Sequence, residues 1–261
     1  MAKIELDKYY TPLETAKYCI DKTFEIIGRE NITEIIEPSA GAGSFSLQIP
    51  NCIAYDIKPD HDSIIEQDYL KLELEYKKGR LIIGNPPFGF SSKLLIKFYK
   101  KGINECDYIG FILPISQYKN DNSLYEFNLI YSEDLGKLIY SGIPIHCCLN
   151  IYKRPDDKLN FKPSYKLSSV KILKHKRKIK EVLLDCDLRI CAFGCVGKIS
   201  QYPDQYCNEF LFYINNKKYK EKILNIIKNT NWKKLYLMSN HPNLSTWHII
   251  KHLKEQIPDL D

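Results

Sequence analysis

The chain has 261 residues, 44% of them hydrophobic and 27% charged, with a formal net charge of +6, enough length for a sizeable core in one large or two ordinary domains. No run of 18 or more apolar residues occurs, and the opening "MAKIELDKYYTP" lacks the apolar stretch of a secretory signal, so neither a membrane span nor export is expected. Nine cysteines, an odd number without a secreted-domain spacing, argue against a disulfide framework and for a reducing, cytoplasmic setting.

Taken in order, the first elements alternate. "LETAKYCIDKTFEIIG" spaces Ala16, Ile20, Phe24 and Ile27 at three- and four-residue steps, the pattern of an amphipathic helix. Thr11-Pro12 precedes it, where Thr can cap and Pro suits a first helical position. "ITEIIEP" reads as a short strand ending in an acid, "AGAGSFSLQI" as a glycine-rich turn into a helix, "CIAYDI" as a second strand and "SIIEQDYL" as a short third. "RLIIGNPPF", the helix "SSKLLIKFYKKGI" and the strand "YIGFILP" follow, and "GKLIYSGIPI" with "HCCLNIYKR" closes the sheet as a hairpin. Such alternation predicts an α/β fold with a mostly parallel, doubly wound sheet.

The polar, proline-bearing "RPDDKLNFKPS" (154–164) reads as a linker, which divides the chain into 1–155 and 156–261. Beyond it lie the basic "KILKHKRKIKEV", the segment "LRICAFGCVGKIS", the strand-like "EFLFYI" and the helical "YKEKILNIIKNT" and "STWHIIKHLKEQI", a smaller mixed domain. Charge divides in the same region. Residues 1–160 carry 19 Lys+Arg against 23 Asp+Glu, net −4; residues 161–261 carry 19 against 9, net +10. A basic part beside a mildly acidic one points to a polyanion held by the C-terminal domain, against the simpler reading of a solvated lysine surface.

Chemistry enters at the strand ends. Leu81, Ile82 and Ile83 form a buried strand; Gly84 frees the turn, and Asn85-Pro86-Pro87-Phe88 is a stiff loop, since two prolines fit neither a helix nor a central strand. In open α/β sheets ligands bind outside the carboxyl ends of the strands. Gly41 and Gly43 in "EPSAGAGSF" allow a tight turn and close approach of a cofactor, although a lone Gly-x-Gly also serves an ordinary strand–helix turn. Asp56 ends the next strand, where a carboxylate can accept both ribose hydroxyls. Asp68 follows at the next strand end, able to accept from an adenine amino group; a turn or capping role is the plainer alternative for either acid.

In this order the motifs resemble the S-adenosylmethionine-dependent N6-adenine DNA methyltransferases whose cofactor motifs precede the catalytic loop and whose target-recognition region comes last. "YYTPLETAKYCI" is similar to the family's N-terminal cofactor motif, "EPSAGAGSF" to its glycine-rich motif, "YDIKP" to its ribose-binding segment, "QDYL" to its adenine-binding segment and "NPPFG" to its catalytic motif. The likeness spans about residues 9–153. It implies a Rossmann-like methyltransferase sheet, S-adenosyl-L-methionine as cofactor, and a cofactor set of Thr11, Pro12, Glu37, Ser39, Ala40, Gly41, Gly43, Asp56, Ile57, Asp68, Tyr69 and Asn85. It implies a catalytic loop of Asn85, Pro86, Pro87 and Phe88: the Asn85 side-chain oxygen and the Pro86 carbonyl accept from the exocyclic amine, and Phe88 stacks on a base flipped from DNA. RNA is the alternative substrate, N4 of cytosine or a protein glutamine more distant ones, and a non-catalytic nucleic-acid-binding subunit the rival of another class. A restriction or accessory partner is left open.

The family places another aromatic against the target base, but the position aligned with it here is Ile143. Tyr140 or His146 can take that stacking place, an aliphatic contact can serve, or both can be packing residues. Lys174, Lys176, Arg177, Lys178, Arg189 and Lys198 are the candidate nucleic-acid contacts, of the kind that hold phosphates without reading bases. Cys186, Cys191, Cys195 and Cys207 lack the paired spacing of a zinc site, so no metal is expected. His241, His248 and His252 read as packing or surface groups, and Tyr202, Tyr206, Trp232 and Trp247 as core.

Overall fold

The computed structural model describes residues 10–89, 92–140, 142–176, 185–203, 205–237 and 242–260. The chain forms two compact units, one through Pro163 and one from Ser164 onward. The division falls after the expected 155/156 because residue 160 still belongs to the first unit. The Asn160 backbone N–H donates to Glu126 O at 2.9 Å and its side chain donates to Asn128 Oδ1 at 2.9 Å.

The first unit is built on a seven-stranded sheet of β1 (Glu34–Glu37), β2 (Ile53–Asp56), β3 (Ile65–Glu66), β4 (Arg80–Gly84), β5 (Tyr108–Pro114), β6 (Asn128–Tyr140) and β7 (Ile143–Lys153). Their order is β3-β2-β1-β4-β5-β7-β6. The first five are mutually parallel, while β7 runs antiparallel to both β5 and β6. This is a Rossmann-like α/β sheet of the kind the motif order implies. Strand order reverses between β1 and β4, so the crevice expected at a switch point opens at Glu37 and Gly84.

Two helices cover opposite faces of this sheet. In α1 (Leu13–Ile27) the buried stripe is Ala16, Cys19, Ile20, Thr23 and Ile27. Phe24 packs half-buried against the same core as expected, and Thr23 joins the fully buried stripe because β5 offers Gly110 there: a Cβ at that glycine would sit 3.1 Å from Thr23. The threonine hydroxyl is satisfied within the helix, donating to Cys19 O at 2.6 Å. On the other face, α2 (Lys93–Gly102) brings Gly102 close to Ile82 and Ile109. Neighbouring strand residues point to opposite faces, so Ile83 and Gly110 meet α1 while Ile82 and Ile109 meet α2.

Two expectations need correction. The glycine-rich turn does not open an α-helix: residues 46–48 make a single 3₁₀ turn before β2. Pro50 cannot continue a helix and Asn51 takes a positive φ of 59°. The closing hairpin also turns earlier than the expected break after residue 145 and has longer arms. β6 runs from Asn128 to Tyr140 and β7 starts at Ile143, with two irregularities in register near residues 130 and 135.

The second unit is a three-stranded antiparallel sheet, β8 (Val170–Lys176), β10 (Asn208–Ile214) and β9 (Leu188–Cys191) in that spatial order, with α3 (Lys220–Asn229), α4 (Trp232–Leu235) and α5 (Thr246–Gln256). Phe210 and Phe212 alternate along β10 into a core with Ile223, Trp232, Ile249 and Leu253. Among the described residues no helix is long and apolar enough to cross a membrane.

Candidate active site

Glycines and acids meet where β1, β2 and β4 end. Glu37 closes β1 with a buried side chain that accepts from the Ser46 backbone N–H at 2.8 Å. Burial, with the Asp56 charge acting the same way, pushes its carboxyl up to about 8. The Asp56 carboxylate spans the glycine turn: Oδ2 accepts from Gly41 N at 2.8 Å and Oδ1 from Lys58 N at 2.8 Å. Each oxygen keeps a further lone pair, and the side chain is half-buried.

Three residues that the motif reading passed over complete this turn. Tyr10 lies over Gly41, at 3.4 Å from where a Cβ would stand, and its hydroxyl donates to the Asp60 carboxylate. The Asp60 N–H returns to Gly41 O at 2.9 Å. Ser44 donates to Thr11 O at 2.8 Å. Tyr10 and Asp60 stand beside quoted motifs, in "YYTP" and "YDIKPD", so proximity to those motifs was the available signal. Ser44 carried none beyond lying in the turn.

The loop after β4 holds the sharpest feature. Gly84 turns the chain with φ +147°, a Cβ there falling 3.3 Å from Glu37 Cγ. Asn85 follows, and its Nδ2 donates to Thr11 Oγ1 at 3.1 Å and to the Tyr140 hydroxyl at 3.3 Å. Its Oδ1 is buried and has no hydrogen-bond partner among the described residues. Buried polar atoms are almost always paired, so an unpaired carbonyl oxygen calls for an explanation. Pro86 is buried, and Phe88 is half-buried against the core cluster that holds Ala16, Tyr140 and Cys147. Thr11 does not cap α1; Pro12 stands at the cap position and the threonine side chain turns to Asn85 instead.

The remaining expected cofactor residues differ in what they leave free. Asp68 accepts from Leu70 N at 3.0 Å and lies 3.5 Å from Lys71 Nζ, while remaining about a third exposed. Tyr69 is buried, donating to Glu105 at 2.5 Å and stacking on Phe98, so its side chain is engaged in the core. Ser39 has a buried hydroxyl with no partner among the described residues; Ala40 is buried and Ile57 is exposed.

The stacking role considered for Tyr140 is corrected. Its ring is fully buried and offers no face to a base; its hydroxyl is the part that reaches the site. His146 is not brought there either. Strand alternation sets it on the opposite face of β7 from Cys147, which borders Tyr140, and its Nε2 lies 2.6 Å from Asp134. Ile143 is exposed.

In the second unit, Lys174, Lys176 and Lys198 are exposed. Lys174 donates to Asn243 at 3.4 Å and lies 5.5 Å from the Phe210 ring; burial and neighbouring Lys176 lower its pKa. Arg189 is corrected: it is buried and lies 3.9 Å from Glu209, itself fully buried, whose other oxygen accepts from Ser200 at 2.6 Å. An arginine held in this way is part of the core, not a phosphate contact. Arg177, Lys178 and His241 lie outside the described residues. Tyr202, expected in the core, is exposed, whereas Trp232 is buried. No group of three or more His, Cys, Asp or Glu among the described residues is placed to hold a metal.

The donor set suits a nucleoside-bearing cofactor. A tight glycine turn lets backbone approach a ligand, Asp56 has spare acceptor capacity beside it, and Ser39 supplies an unpaired hydroxyl at the same strand end.

No protein-family model and no curated protein matches the chain by sequence. Similar solved structures include a proposed RNA methyltransferase from Pyrococcus horikoshii, 14% identical with a TM-score of 0.47, over 59% of this chain and 90% of that one. A proposed class I S-adenosylmethionine-dependent methyltransferase from Listeria monocytogenes is 13% identical, TM-score 0.46, over 87% and 73%. The methyltransferase subunit of a type I restriction-modification system from Streptococcus thermophilus is 15% identical, TM-score 0.42, over 86% of this chain and 54% of that one. Likenesses this distant leave function to be argued from the site.

Proposed function

We propose that the chain is an S-adenosylmethionine-dependent methyltransferase acting on the exocyclic N6 of an adenine flipped out of DNA. The observation that carries this reading is the buried Asn85 Oδ1, without a partner among the described residues, at the carboxyl end of β4 beside two prolines and the switch-point crevice.

The bound cofactor supplies an electrophilic methyl group on a sulfonium, which no side chain provides. Asp56 holds the ribose through its spare lone pairs, the Gly41–Gly43 turn lets the backbone approach, and Ser39 and Asp68 add polar contacts. Adenine N6 is a weak nucleophile because its lone pair is delocalised into the ring. Asn85 Oδ1 and the Pro86 carbonyl accept its two hydrogens and draw the nitrogen toward a tetrahedral, electron-rich form. Acceptors fixed before the reaction spend nothing on reorganisation during it, which is the basis of electrostatic catalysis. Phe88 gives the extruded base a face, offsetting part of a flipping cost of a few kcal/mol. The exposed lysines of the second unit hold phosphates.

The test supplies labelled S-adenosylmethionine with DNA and RNA side by side and locates the methylated atom. Label at adenine N6 of DNA is the expected result; label on RNA alone reassigns the substrate. Absence of cofactor affinity by calorimetry at micromolar concentration overturns the enzyme reading in favour of a non-catalytic nucleic-acid-binding subunit.

A further inference from the structure

We propose that Thr11 and Tyr140 are positioning residues that lock the Asn85 amide in the orientation presenting its oxygen, and not its nitrogen, to the substrate amine. The inference rests on the methyltransferase reading for its catalytic consequence, but the lock itself is a property of the folded chain.

A carboxamide is nearly symmetric in shape, and its two ends differ only in hydrogen bonding: the nitrogen is a double donor and the oxygen a double acceptor. At the end of β4 a wrong flip would aim two donors at an amine that also donates. Something must therefore distinguish the two orientations, and the loop "NPPF" cannot, because its prolines fix backbone and not χ2 of Asn85.

The distinguishing groups come from two remote elements. Thr11 stands just before α1, 74 residues from Asn85, and Tyr140 ends β6, 55 residues away on the other side. Each hydroxyl takes one of the two Nδ2 hydrogens. The phenol has another neighbour able to take its proton: Cys147 Sγ lies 3.8 Å from the Tyr140 oxygen, a contact in which either group can donate. A hydroxyl whose proton is turned to sulfur faces Asn85 with lone pairs. Thr11 is held in place through its backbone, since its carbonyl accepts from Ser44 of the glycine turn. With both nitrogen hydrogens satisfied, Oδ1 is left buried without a partner among the described residues. The same arrangement explains why Tyr140 is a fully buried tyrosine and not a phenylalanine: its ring packs in the core and only the hydroxyl touches the site.

Removing one hydroxyl removes one neutral hydrogen bond and lets the amide turn. For Tyr140→Phe and Thr11→Val we expect kcat to fall about tenfold each, with the KM for DNA changed less than about twofold. Thr11→Ser, which keeps the hydroxyl, loses less than Thr11→Val. Equal losses in Thr11→Ser and Thr11→Val, or a loss confined to KM, overturn the lock.

A second measurement does not depend on turnover. In protein labelled with ¹⁵N at asparagine, the pair of signals missing in Asn85→Ala identifies the Asn85 side chain. These two protons are expected to exchange with solvent at least tenfold more slowly than those of exposed asparagines such as Asn51 and Asn215, and to lose that protection in Tyr140→Phe. Exchange as fast as at exposed sites, or protection unchanged in Tyr140→Phe, overturns the proposal. Protection in a chain that transfers no methyl group keeps the lock and discards the methyltransferase reading.

Discussion

Each unit buries a polar oxygen without a hydrogen bond among the described residues, Asn85 Oδ1 just after β4 and Glu209 Oε2 on β10, and the two differ in what lies beside it. In the second unit Ser200 and the Tyr206 N–H serve one oxygen of Glu209, and the other, without a hydrogen bond among the described residues, lies 3.9 Å from the Arg189 guanidinium as its counter-charge. In the first unit Asn85 has its nitrogen served by Thr11 and Tyr140, and its oxygen is left without a partner among the described residues. A buried oxygen beside a counter-charge closes a set of polar groups that holds the fold, whereas the Asn85 oxygen leaves its set open to a ligand. Residue type does not separate the two cases. Arg189 is the more charged group and the more obvious nucleic-acid contact, yet it is spent inside the protein.

Breaking the open set should have the largest effect. Asn85→Ala removes the acceptor without touching the glycine turn, and its kcat should fall about 10²–10³-fold while calorimetry finds cofactor affinity within a few-fold of wild type. Turnover retained in that variant would mean the unpaired oxygen is incidental. Breaking the closed set should cost stability instead. Arg189→Met leaves a buried carboxylate without its counter-charge, worth about 3 kcal/mol, seen as a lower thermal midpoint of the second unit. The salt dependence of DNA binding by the folded variant should be unchanged, and a flatter slope would return Arg189 to the phosphate-binding set.

Glu37 sharpens the contrast from the first unit's side. Its carboxyl titrates at about 8, above the ordinary value of 4.5, because burial disfavours the charged form. A raised carboxyl binds its proton more tightly when folded, so its contribution is fully present below about 4.5 and is lost as pH rises to about 8. Glu37→Gln is neutral throughout and escapes that loss. Melting curves should therefore show the variant gaining on wild type by a few degrees between pH 5 and 8, and a constant gap would show that Glu37 is ionised throughout. The smallest effect belongs to the exposed lysines. Lys174→Gln with Lys176→Gln should reduce the logarithmic salt slope of DNA binding by about two if each meets a phosphate, with thermal stability nearly unchanged. An unaltered slope removes them from the interface.

Local sequence was enough for most elements of the sheet because strand runs such as Leu81–Ile83 and helix spacings such as Ala16–Ile20 carry their own periodicity. It failed where the neighbour decides. Thr23 occupies the α1 stripe because Gly110 admits it, and the turn at 41–48 does not become a helix because Pro50 and the short path to β2 prevent it. The acids and glycines of the site were visible because each ends a strand. Tyr10 and Asp60 were not singled out, because their link across Gly41 joins residues 50 apart.

The sequence by itself determined the α/β alternation, the positions of Asp56, Gly41, Gly43 and Asn85 at strand ends, and the charge contrast between the chain's two parts, since each depends only on residue type and spacing. Only the tertiary structure decided that Tyr140 gives a hydroxyl and not a ring, that His146 faces away, that Arg189 is consumed by Glu209, and which end of the Asn85 amide is left unpaired. These outcomes depend on hydrogen bonds and burial between residues far apart in the chain, and no local pattern encodes them.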